Sequence, residues 1–155
     1  MAALETIRAA IVAKAATVPS IGRVHDFQRY DTQASGLQGL YRASVGGVEQ
    51  LRGWFVTRKA TQELGPYRGR TVVIHQWELR GYLGLSDALA TEKTMDALIE
   101  ALRDAFRSDE TLGGVVDSTV LDDGAGLQLE EQQPVLFAGV LCHMARLTLR
   151  TRHYL

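Results

Sequence analysis

Four histidines, one cysteine and two adjacent aspartates carry most of the chemistry these 155 residues offer. The histidines are His25, His75, His143 and His153, and no two share the i, i+3 or i, i+4 spacing of a helical metal motif. Cys142 and His143 are neighbours, so on a strand they point to opposite faces and cannot hold one ion together. His75 and His143 fall on apolar-patterned faces, where a hydrogen-bonded core histidine is the commoner outcome. Cys142 reads as a buried apolar thiol, and as the only cysteine it cannot form an intramolecular disulfide. Asp122-Asp123-Gly124 is a turn sequence before it is a cation site, and Glu130 and Glu131 read as solvated. Ser35, Ser44 and Ser86 have no nucleophile motif around them. The glycines at 36–39 and 113–114 lack both Gly-Lys-Ser/Thr and the strand–glycine–helix order of a phosphate cradle. The expectation is no catalytic, metal or cofactor site, and no enzyme.

The elements that position these residues are read from periodicity. Leu4, Ile7, Ile11 and Ala15 follow a 3–4 spacing and predict a helix over 3–16, with Pro19 and Gly22 marking its end. Residues 24–30 alternate weakly, as an edge strand would. Residues 31–53 hold five glycines and little periodicity. They read as a long loop or arm, either a mobile surface loop or a piece with an assembly role. Trp54–Thr61 reads as a strand, with a link at Gly65, Pro66 and Gly69. Arg70–Leu83 gives the clearest strand. Thr71, Val73, His75, Trp77 and Leu79 share one face, while Val72, Ile74, Gln76, Glu78 and Arg80 share the other. The two strands suggest an antiparallel hairpin.

A second, longer helix is predicted over 86–108, with Met95, Leu98, Ile99, Leu102, Ala105 and Phe106 as its apolar stripe and Glu100–Arg103 as an ion pair. Val115–Leu121 reads as a strand, with Leu127–Glu131 pairing back. Phe137–Tyr154 reads as one long final strand with Cys142, Met144, Arg146, Thr148, Arg150 and Arg152 on its second face. This order gives an α+β fold, an antiparallel β-sheet with two helices packed on one face, in a single domain spanning 1–155.

Composition narrows the classes without choosing one. Apolar residues make up 46%, charged residues 23%, and the formal net charge is −1. That balance excludes a low-complexity chain and disfavours non-specific nucleic-acid binding, which needs clustered Lys and Arg. No stretch reaches the roughly 20 apolar residues of a membrane span. Glu5, Arg8 and Lys14 interrupt the start, so it does not read as a secretory signal. The expectation is a soluble protein of a reducing compartment.

The opening helix IRAAIVAKAA, the strand TVVIHQWELRGYLGL, the helix TMDALIEALRDAF and the closing strand GVLCHMARLTLRTRHYL come in a familiar order. In that order and character, over nearly its whole length, the chain resembles phage tail terminator and tail-completion proteins. The resemblance implies a virion structural protein that forms a ring, typically a hexamer, at the head-proximal end of the tail tube. Such a ring halts tube polymerisation and offers a surface to the head–tail connector or stopper protein. DNA passes through its channel as cargo, with no membrane involved. The implied location is the tail and neck of the virion, after assembly in the host cytoplasm. Segment 31–53 departs from the compact pattern and reads as an added arm.

A long charged edge strand must avoid open-ended pairing, and closing a ring is one way to do so. The candidate interface residues are Arg146, Arg150 and Arg152, with Gly46 and Gly47 of the arm. The arginines are expected to meet acidic groups on a neighbouring copy or on the tube, the alternative being a solvated basic face. Two other readings stand beside this one, a different neck or head-completion adaptor and a small-molecule-binding α+β domain.

Overall fold

A computed structural model describes residues 3–155. These residues are mixed α+β, with three helices and a six-stranded sheet among them. The elements in chain order are α1 (Leu4–Ala16), β1 (Arg23–His25), α2 (Ala34–Leu40), β2 (Arg42–Val45), β3 (Val48–Tyr67) and β4 (Arg70–Gly84). They continue with α3 (Thr91–Arg107), β5 (Val120–Leu121), β6 (Gly124–Ala125), β7 (Gln128–Phe137) and β8 (Val140–Tyr154). The main sheet runs β1-β3-β4-β8-β7, and β2 joins it through β3.

Three tight hairpins build most of this sheet. The turns are Gly46–Gly47, Arg68–Gly69 and Ala138–Gly139, and in each both residues have positive φ. That is the requirement of a type I′ turn, whose twist matches the strands it joins. The β3–β4, β4–β8 and β7–β8 pairs are all antiparallel. The expected wholly antiparallel sheet is corrected at one edge, where β1 runs parallel to β3 over Arg23–His25.

Alternation along the strands gives the sheet two unlike faces. On one, Trp54, Val56, Trp77, Leu79, Leu83, Ala145, Leu147 and Leu149 form a core with Ile7, Ile11 and Ala15 of α1 and with Met95, Leu98, Ile99, Leu102 and Phe106 of α3. Trp54 donates its indole N–H to the Ile21 carbonyl at 2.9 Å, and Trp77 donates to Thr151 Oγ1 at 3.0 Å, so both rings are buried without an orphan donor. On the other face Tyr41, Leu51, Phe55, Tyr82, Cys142 and Met144 form a smaller cluster with Leu37 and Leu40 of α2. Two glycines make room for the large rings. A Cβ on Gly81 would lie 2.2 Å from the Trp54 ring, and one on Gly53 would lie 2.7 Å from Tyr41.

Several expectations give way to this arrangement. Residues 31–53 are not a loop or arm but α2, β2, the Gly46–Gly47 turn and the start of β3. The seven residues of α2 include two glycines and have no side-chain cap, so packing of Leu37 and Leu40 rather than propensity holds the helix. Residues 115–119 are not strand. Val116 is buried in the core, Ser118 makes a lone bridge to Arg152, and Val120–Leu121 pairs only with Gly124–Ala125. The segment after Leu127 pairs with β8, not with the residues before it. The expected single strand over 137–154 folds back at Ala138–Gly139, and Leu141, beside the turn, is half exposed at the hairpin end. Gly65 and Pro66 lie within β3, and Arg68–Gly69 makes the turn.

The sheet ends in two different edges. β1 and β2 cover β3 only over Leu51–Val48 and Gly53–Phe55, so its outer side is unpaired from Val56 onward among the described residues. β7 closes the opposite side and, among the described residues, has β8 as its only strand partner. No helix among the described residues is long and apolar enough to cross a membrane.

Candidate assembly surface

Beyond the α2 cluster, the second face of the sheet carries a polar band, with Val72 and Ile74 at its far end, and the three arginines expected from the sequence. Arg146 reaches Glu131 on β7 at 3.3 Å and Glu78 on β4 at 3.8 Å. Arg152 donates two hydrogen bonds to Asp117, at 3.0 and 2.8 Å, and Arg150 pairs with Asp123 in the β5–β6 turn. All three keep about a third of their side-chain surface exposed. Each therefore has a carboxylate within its own chain, set by register: Arg146 stands opposite Glu131, while the Asp117 backbone and the Ser118 bridge hold Asp117 beside Arg152.

Glu78 is the centre of this network. Its side chain is 6% exposed, and three cations surround it: Lys59 at 3.6 Å, Arg80 at 3.3 Å and Arg146. A buried carboxylate needs such company, because the attraction must offset a desolvation cost of several kcal/mol. The ions follow the sheet across its strands, Lys59 on β3, Glu78 on β4, Arg146 on β8 and Glu131 on β7. Beside them, Glu130 accepts a hydrogen bond from Thr148 at 2.8 Å. A polar hollow of about 330 Å³, lined by Gln76, Asp123, Glu130, Thr148 and Arg150, lies next to the row.

Sequence reading placed Glu78, Arg80 and the arginines on this face but missed Lys59, Asp117 and the pairing role of Glu131. The alternation of 70–83 did signal Glu78, whereas a bulge between Arg58 and Ala60 hides Lys59 from a strict period of two. Gly46 and Gly47 are not part of this surface. They form the β2–β3 turn, whereas Arg150 aligns through Gln76 with Ala60, far along β3.

The residues first considered for chemistry are engaged elsewhere. His75 Nδ1 lies 2.8 Å from Thr61 Oγ1, and His143 Nε2 lies 2.8 Å from Thr91 Oγ1, both rings buried. Burial pushes the His75 and His153 pKa values below the ordinary histidine value. The Cys142 thiol is buried, donates to the Val140 carbonyl at 3.3 Å, and is pushed up to about 11 by desolvation. No three His, Cys, Asp or Glu side chains among the described residues converge as a metal site. Compared with known protein families and with curated proteins, the chain matches none.

Proposed function

We propose that the protein is a ring-forming structural component of a phage-like tail, closing the head-proximal end of the tail tube and joining it to the connector. Its partners on this reading are copies of itself, in a ring of about six, the tube protein, and the connector or stopper protein. DNA would pass through the channel, and the ring would be built in the host cytoplasm and retained in the virion neck. The observation that carries the reading is the pair of open and unlike sheet edges, the outer half of β3 and β7. Two different edges that complement each other suit a head-to-tail contact, which closes into a ring when the rotation per copy is right. The order of helices and strands and the near-zero net charge agree with it, since DNA slides best past a lining without strong positive charge.

Native mass over a concentration series, with negative-stain images of the same samples, tests the proposal. Rings of about six copies with a hole wide enough for duplex DNA are expected. A compact two-fold dimer at every concentration would overturn it.

A further inference from the structure

We infer that copies of this chain join edge to edge, with β7 of one pairing along the outer half of β3 of the next, so that Glu131 meets the neighbour's Lys59. The inference deepens the ring reading and rests on it for closure, but the contact itself stands on three observations.

The first is direction. β3–β4, β4–β8 and β8–β7 are each antiparallel, so β7 runs opposite to β3. A copy set beside β7 in the same orientation presents its β3 antiparallel, and the alternation continues without a break. The second is vacancy. Among the described residues, no backbone hydrogen bond outside the ladder reaches Val56–Leu64 or Gln128–Gln133, so both edges present free N–H and C=O groups.

The third is charge. Across the polar face the ions alternate from edge to edge, Lys59 positive, Glu78 negative, Arg146 positive, Glu131 negative. The row starts on one open edge with a cation and ends on the other with an anion. Its end groups are also its most exposed members, Lys59 at 51% and Glu131 at 39% against 6% for Glu78. Lys59 reaches Glu78 and Glu131 reaches Arg146, so both point to the same face and would meet on the same side of a continued sheet. Each edge is bulged at this level, β3 between Arg58 and Ala60 and β7 between Leu129 and Glu131. Bulges increase the local twist, which turns each copy relative to the last and opposes a flat, endless sheet. Pro134, which lacks an N–H, limits the pairing on β7 to the stretch before it.

Cysteine pairing on the full chain tests this, with Cys142 silent because it is buried and its thiol is poorly ionised. Under mild oxidation, Lys59→Cys mixed with Glu131→Cys should give a covalent dimer that neither protein gives alone. Glu130→Cys serves as the second partner where the sulfur geometry is unfavourable. The chain carrying both substitutions should give a ladder ending at the ring size. Hydrogen exchange on the unsubstituted chain gives an independent readout: the amides of 56–64 and 128–133 should slow on assembly. Rings without the mixed dimer and without slowed edges would overturn the edge contact and leave the ring reading intact. A covalent ladder that never closes would keep the contact and remove the ring. A dimer formed by either single variant alone would make the contact two-fold and overturn the inference.

Discussion

Cys142 and the buried histidines His75 and His153, which neighbour each other, show how strongly burial governs what a reactive side chain does. The thiol lies among Tyr82, Met144 and Phe55 with its pKa pushed up to about 11 by desolvation. It should therefore resist alkylation in the native protein at neutral pH and react at once in denaturant. Rapid native labelling, followed by a thiol reagent, would mean that the α2 cluster opens. His75 and His153 lie with ring centres 5.5 Å apart, both pKa values lowered by burial and His75 further by its neighbours His153 and Arg58. Burial in the folded state favours their neutral form, while the unfolded chain takes up protons near the ordinary value of about 6.5. Stability is then complete above that value and lost as pH falls below it, because the unfolded state binds more protons there. Urea midpoints at about pH 7.5 and about pH 5.5 should differ in that direction, and the difference should shrink in a His75→Gln/His153→Gln chain. A flat wild-type profile would show that protonation costs this fold nothing.

Among the elements, α3 and the β3–β4 hairpin carry the core, and they were the parts most legible in the sequence. The Met95–Phe106 stripe recurs at the helical period, and all five of its large members are buried. Leu102 is fully enclosed, so Leu102→Asp buries an unpaired carboxylate at a cost comparable to a whole domain's stability of about 5–15 kcal/mol. No folded protein should be recovered by circular dichroism. Gly81→Ala is milder, since its Cβ must displace the Trp54 ring. A loss of about 1–3 kcal/mol in urea unfolding is expected, and no loss would mean that Trp54 has another rotamer available. What the sequence hid follows a common cause. Gly46–Gly47 flanked by RASV and VEQL is a hairpin signal, but β2 alternates only between exposed and half-buried residues, so no apolar period marks it. α2 is too short and glycine-rich to announce itself, and exists through Leu37 and Leu40 against the sheet. At the candidate surface the arginines were readable from β8, but their carboxylates were not. Asp117 and Asp123 arrive from loops, and Glu131 and Lys59 sit at bulges that break the period.

At the scale of the whole molecule, the balance between backbone and charge at the proposed edge contact sets how assembly should respond to salt. The closing ion pair is half exposed, and pairs of that kind contribute about 0.2–1 kcal/mol. One such pair per contact changes the association constant only about 1.4- to 5-fold when salt screens it away. The ladder of main-chain hydrogen bonds between β7 and β3 must supply the rest, and salt leaves those nearly untouched. The internal members of the row, with Glu78 buried between Lys59 and Arg146, are screened far less and hold their geometry in either condition. The dissociation midpoint measured by light scattering should therefore move only a few-fold between low and high salt. Because assembly stabilises the folded chain by mass action, the thermal midpoint should also rise with protein concentration in both conditions. A shift of more than about tenfold with salt would mean that charge, not strand pairing, holds the copies together. The contact would then belong to the paired arginines of the polar face rather than to its edges.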